Sequence, residues 1–240
     1  MKNIGRVVSA VAVMAVVVVG VMGCDGDNGT GGGNATGSDT TGGNNTGGNN
    51  VTVVDSSTVV RDTFTDRRDG RIYHTVNIET QIWMAENMNY ATDSSWCYDS
   101  SSANCDKYGR LYAWTAAMMV CPTGWHLPTS QEWQTLIDYA GGNLSAGSKL
   151  KAMSGWCNNV NGTDQYGFSA LPGGHRRTRD SYGNVYDDFY DIDWIGAWWS
   201  TEEVLGRRYA RSRELNCNNN EVALYVREKG DALSVRCIKD

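Results

Sequence analysis

Histidine is scarce in this chain, three in 240 residues. His74, His126 and His175 are isolated from one another, so no HxH or HExxH spacing exists to hold a catalytic metal. Seven cysteines include no CxxC pair, the spacing expected of a cytosolic redox or zinc site. The N-terminal apolar run, Val7 to Met22, falls short of the roughly 20 residues a bilayer-spanning helix needs. Lysine and arginine number 21 against 27 aspartates and glutamates, a formal charge of −6, which argues against a nucleic-acid partner. These absences exclude local signatures only, because folding can assemble a triad from distant residues.

What is present first is an address. Lys2 and Arg6, the apolar stretch Val7 to Met22, then Gly23 and Cys24 follow the charged, hydrophobic, small-residue order of a secretory signal. Residues 1–23 are therefore expected to be a signal peptide, with a membrane helix as the alternative. Val21-Met22-Gly23-Cys24 resembles a bacterial lipobox, which implies acylation of Cys24 and a stable lipid anchor on a bacterial membrane, at the outer membrane or cell surface. Residues 24–55 read as a tether. Their Gly, Asn and Thr, including the tandem TGGNN at 41–45 and 46–50, offer no apolar burial to offset ordering. A flexible chain of that length spans roughly 30 Å.

Residues 56–240 have the size of one domain. Without Cys24, six cysteines remain, an even number that suggests disulfides in an exported chain. Asp69-Gly70 between strand-forming runs predicts a hairpin. Leu111, Trp114, Ala117 and Met118 recur at helical spacing and predict a helix over 108–119. Thr129 with Glu132 three residues later is a capping box opening a second helix, which Gly141-Gly142 ends. A third short helix is expected within 145–153. Strands are expected at 168–171, 197–200, 221–226 and 232–238, with irregular loops over 175–194 and 205–220.

Chemistry-bearing residues are few. His126, beside Trp125, reads as a histidine satisfied by its neighbours rather than as a ligand. Asp187, Asp188, Asp191 and Asp193 in YDDFYDIDW supply several oxygens that suit a hard cation such as calcium; a solvated acidic loop balanced by Arg176, Arg177 and Arg179 is the ordinary alternative, and no other cofactor is expected. The nine tryptophans lie between Trp83 and Trp199. Trp83, Trp114, Trp125, Trp133 and one of Trp198 or Trp199 are expected in the core. Tyr186, Tyr190 and Trp194, with Arg176 and Arg179, are the candidate ligand-binding residues, since exposed aromatic faces stack on sugars and anchor protein partners.

The order DGRIYHTVNIETQIWMAENMNY (69–90), YGRLYAW (108–114), CPTGWHLPTSQEW (121–133), GFSALPGGHR (167–176), WWS (198–200) and VRCIKD (235–240) resembles the Fibrobacter succinogenes major paralogous domain. Glu79 stands where that family usually has glycine. The family is similar to formylglycine-generating enzymes and, more distantly, to C-type lectins. The resemblance implies an α+β, C-type-lectin-like, loop-rich domain with two main helices on small antiparallel sheets. In that frame Cys121 pairs with Cys237. The nearness of Cys97 and Cys105 suggests a second pair and leaves Cys157 with Cys217, although six cysteines allow fifteen pairings. Formylglycine-generating enzymes need a reactive cysteine pair late in the chain; here the late cysteines are Cys217 and Cys237, far apart and each with a structural partner. The lectin sugar-binding tripeptides EPN and QPD are missing, as is WND. The expected function is a non-catalytic binding or display domain for glycan or protein at the cell surface. An enzyme of other chemistry on the same scaffold, or a structural envelope lipoprotein, are the alternatives.

Overall fold

The computed structural model describes residues 59, 61–179, 185–204, 206 and 208–240, with the backbone alone for Val185 and Tyr186. They belong to the compact unit Thr52–Asp240. The expected signal peptide, Cys24 and the expected tether lie outside the described residues.

The chain opens with β1 (Arg61–Thr65) and β2 (Ile72–Ile78), paired antiparallel across Asp69-Gly70 as expected. Gly70 has φ +74 and donates its N–H to the Asp66 carbonyl, a turn conformation glycine adopts without steric cost. β3 (Gln81–Met84) follows a second turn where Glu79 sits at φ 54, so the left-handed residue is kept although the glycine is not. β4 (Ser95–Trp96) leads to α1 (Ser102–Tyr108), β5 (Leu111–Ala113) and α2 (Trp114–Val120).

The single helix expected over 108–119 is thus replaced by a helix, a strand and a helix. Gly109, at φ +77, breaks the first. Leu111, Tyr112 and Ala113 are all buried, and pairing on both edges, to β4 and to a later strand, overrides their helical spacing.

β6 (Trp125–His126) precedes α3 (Ser130–Tyr139). Thr129 caps α3 in a complete capping box with Glu132, and Gly142 donates to the Ile137 carbonyl to close it. α4 (Gly147–Leu150) is the short third helix. Residues 168–171 form only an isolated bridge, Ala170 to Lys151.

The segment expected to be irregular is a long hairpin, β7 (Gly173–Arg179) with β8 (Val185–Ile192). The second expected loop contains β10 (Tyr209–Asn216), paired between β9 (Ile195–Val204) and β11 (Val222–Glu228). Their polar, charged sequences hid the strands, which are held by pairing to neighbours rather than by apolar alternation. The C-terminus splits into β12 (Ala232–Ser234) and β13 (Ile238–Lys239).

Five strands form one sheet in the order β1-β2-β3-β13-β6; eight form the other, β11-β10-β9-β7-β12-β5-β4 with β8 on β7. The fold is α+β and dominated by sheet. Trp83, Trp133, Trp198 and Phe168 centre one apolar cluster; Tyr73, Tyr112, Trp114, Trp125 and Trp199 belong to a second. Trp198 and Trp199 are both core, not one of the two. Successive side chains of β9 point to opposite faces, and this strand is covered on both. The buried indoles find acceptors: Trp198 donates to Asn87 Oδ1 at 2.8 Å and Trp199 to the Tyr112 carbonyl at 2.7 Å.

Disulfides join Cys97 to Cys105, Cys121 to Cys237 and Cys157 to Cys217. The second closes 116 residues of chain and ties the end of α2 to the segment between β12 and β13.

Candidate functional site

The β7–β8 hairpin positions the residues the sequence singles out, but along its length rather than around one point. Arg176 is buried; its guanidinium lies 3.9 Å over the Trp96 ring and forms an ion pair with Asp187. Asp188 accepts the Phe189 N–H at 2.8 Å. Asp191 lies 3.7 Å from His175 Nδ1, and Asp193 accepts the Tyr108 hydroxyl at 2.5 Å. The four carboxylates therefore lie against different groups, Asp191 beyond hydrogen-bond reach of His175, and strand alternation turns neighbours apart. Among the described residues, no three His, Cys, Asp or Glu side chains gather as a metal site.

Tyr190 stacks on His175 at 6.0 Å, half-buried, while Trp194 is 47% exposed in the turn after β8. Arg179 is at the other, exposed end of β7. The side chain of Tyr186 lies outside the described ones. With roughly 3.3 Å per strand residue, the Arg179 end and Trp194 stand on the order of 25 Å apart, too far to grip one small ligand.

His175 is fully buried. Burial first, then Arg227 and Arg177, push its pKa down to about 3, so the ring is neutral, with Nε2 accepting from Arg177 Nε at 3.1 Å. Nearby Glu214 pairs with Arg227 at 2.7 Å. This is an ion cluster built into the sheet.

His126 sits between two carboxylates, its ring nitrogens donating to Asp240 at 2.7 Å and to Glu132 at 2.9 Å. Burial opposes its charge, but the hydrogen bonds to Asp240 and Glu132 together hold its pKa above the usual value. The histidine links the capping box to the C-terminus, the satisfied role expected for it.

A cavity of about 640 Å³ opens elsewhere, between β2, the segment after β3, the end of α1 and the 164–171 loop. That volume is within the range of small-molecule sites. At its base are Asn87 and Arg236, both inside sequence motifs that otherwise read as scaffold. Arg236 is 1% exposed. Its Nε and Nη2 donate to Asn87 Oδ1 at 3.1 and 2.8 Å, and Nη1 donates to the Phe168 carbonyl. Its guanidinium also lies 4.4 Å from the Phe168 ring centre. Burial lowers its pKa to about 10, so it is a cation at neutral pH.

Around that base the lining is mixed in charge, with Arg61, Arg71 and Lys107 facing Glu86, Asp106 and Asp164. Each carboxylate is already engaged. Glu86 bonds His74 at 2.5 Å, Asp106 lies 3.5 Å from Arg71, and Asp164 takes the Ser169 hydroxyl and N–H at 2.6 Å. Sequence reading passed over Asn87 and Arg236. A charged residue inside the apolar run Val235, Cys237, Ile238 was the available signal.

Cys217 and Cys237, the late cysteines, are buried and bonded to Cys157 and Cys121. No curated protein and no solved structure matches the chain. The profile of the Fibrobacter succinogenes major domain matches residues 76–239, which span β3, the disulfide frame and both sides of the cavity base. By that match, which covers more than half of its length, the chain belongs to the Fibrobacter succinogenes major domain family.

Proposed function

We propose that this protein is an exported, lipid-anchored, non-catalytic binding domain of C-type-lectin-like fold that recognises a glycan or a protein segment outside the cell, and that the ligand seat is the cavity above Asn87 and Arg236. The cavity carries the reading: it is large enough for a sugar ring or a short side-chain segment and is lined by polar groups from several elements. The β7–β8 hairpin, with its candidate residues strung along its length and Arg176 paired with Asp187, is less suited to the task. The bonding of Cys217 and Cys237 supports the absence of formylglycine-type chemistry, which needs a reactive pair.

Glycan arrays and pull-downs with the native protein and with Met153→Trp, which adds bulk at an exposed position of the cavity lining, test the seat. Binding that is lost in the variant supports it, and binding that persists unchanged rejects it. The anchor is tested separately: a fatty-acid analogue should label the protein and fail to label Cys24→Ser.

A further inference from the structure

We propose that the ligand held in this cavity carries an oxyanion, a carboxylate or a phosphate, placed above Arg236 and contacted by Arg61 and Lys107. The inference rests on the cavity being the ligand seat and adds the charge of what sits there.

Three observations lead to it. Arg236 is a buried cation whose hydrogen-bond partners, Asn87 Oδ1 and the Phe168 carbonyl, are both neutral. Buried charges are ordinarily paired with an opposite charge, and among the described residues no carboxylate lies within 4.0 Å of this one. The rings of Phe168 and Trp198, at 4.4 and 6.0 Å, offset part of the cost through their π faces, and Glu86 and Asp164 favour the charge from a distance, but neither carboxylate contacts the guanidinium.

The lining also holds one more cation than carboxylate, Arg61, Arg71, Lys107 and Arg236 against Glu86, Asp106 and Asp164. Glu86, Asp106 and Asp164 are each engaged by His74, Arg71 and Ser169, whereas Arg61 and Lys107 have no carboxylate within reach among the described residues. Lys107 rests instead 4.5 Å over the Tyr108 ring. Finally, the chain as a whole is acidic, at −6, so a cavity with a positive balance departs from its surface average. A concave site with low-dielectric walls focuses such a field and raises the local concentration of an oppositely charged ligand.

Roles follow from geometry. The fork of Arg236 is already filled by Asn87, so this residue acts through its field, while Arg61 and Lys107 supply the direct charge-assisted hydrogen bonds.

Calorimetric titration of the full-length exported protein in detergent with glucuronate, inorganic phosphate and glucose tests the proposal. Glucuronate or phosphate is expected to bind and glucose not, the preferred anion telling a carboxylate ligand from a phosphate one. Binding should weaken with salt, and Arg61→Gln with Lys107→Gln should weaken it by about tenfold or more. Glucose binding as well as glucuronate would overturn the anionic class while leaving the cavity as seat. Neither anion binding, or anion binding indifferent to the double variant, would also overturn it. Retention of the array or pull-down ligand in Met153→Trp fails the seat itself, whatever the anions do.

Discussion

Asn87 and Arg236 are 149 residues apart in sequence and meet through one atom, Asn87 Oδ1, which accepts from both Nε and Nη2 of the guanidinium. The same oxygen accepts from Trp198 Nε1 at 2.8 Å, and Asn87 Nδ2 donates to the Tyr108 carbonyl at 2.8 Å. One amide thereby satisfies groups from three distant segments. Asn87→Ala should strip partners from a buried cation and a buried indole together, costing about 3–5 kcal/mol. Urea denaturation measures this; a loss below about 1 kcal/mol would mean that water replaces the amide.

Lys151 is fully buried, with its Nζ bonded to the Asn219 carbonyl at 2.8 Å. Burial lowers its pKa from 10.5 to about 8. Between those values the unfolded chain holds a proton that the folded one has released, so stability rises with pH across the window. Lys151→Met removes the buried charge and one hydrogen bond. It should be more stable than the native protein by about 1–2 kcal/mol near pH 7, and the gap should close as pH rises through the window. A gap independent of pH would show that the lysine titrates alike in the folded and unfolded states, without the shift that burial imposes.

His126 carries the opposite sign. With its pKa raised in the folded protein by Asp240 and Glu132 against the effect of burial, its contribution is complete below the unfolded value of 6.5 and is lost as pH rises through the folded one. The ring is partly exposed, so screening limits the effect. His126→Gln should destabilise by under about 1 kcal/mol in mild acid and by less in mild alkali. Melting curves of the two proteins that run parallel at all pH values would contradict the ion-pair role.

The Cys121–Cys237 bridge restrains a loop of 116 residues. Cys121→Ala with Cys237→Ala should lose about 2–5 kcal/mol, more than removal of the Cys97–Cys105 bridge, which closes only eight. Peptide mapping of the unreduced native protein should return the three pairs described above. Any other pairing would displace the frame on which β12 and β13 are hung.

Much of the scaffold was legible in residue order because its causes are local. Thr129 and Glu132 cap a helix by reaching over one turn, and Asp69-Gly70 turns a hairpin wherever strand formers flank it. The disulfide between Cys121 and Cys237 was legible through family resemblance. The strands β7, β8 and β10 were not, because their polar sequences carry no strong period and their extended form comes from pairing with β9, β11 and β12.

The site was the least legible part. Tyr190, Trp194, Arg176 and the aspartates of β8 were singled out by type, and the hairpin distributes them along its length or binds them internally. Residue order determined the frame: turns, the cap, the family and the tryptophans of the core. Only tertiary structure decided which charges lack a contacting counterion, because that depends on what long-range packing brings within a few ångströms, and Arg236 finds there a neutral amide and a carbonyl.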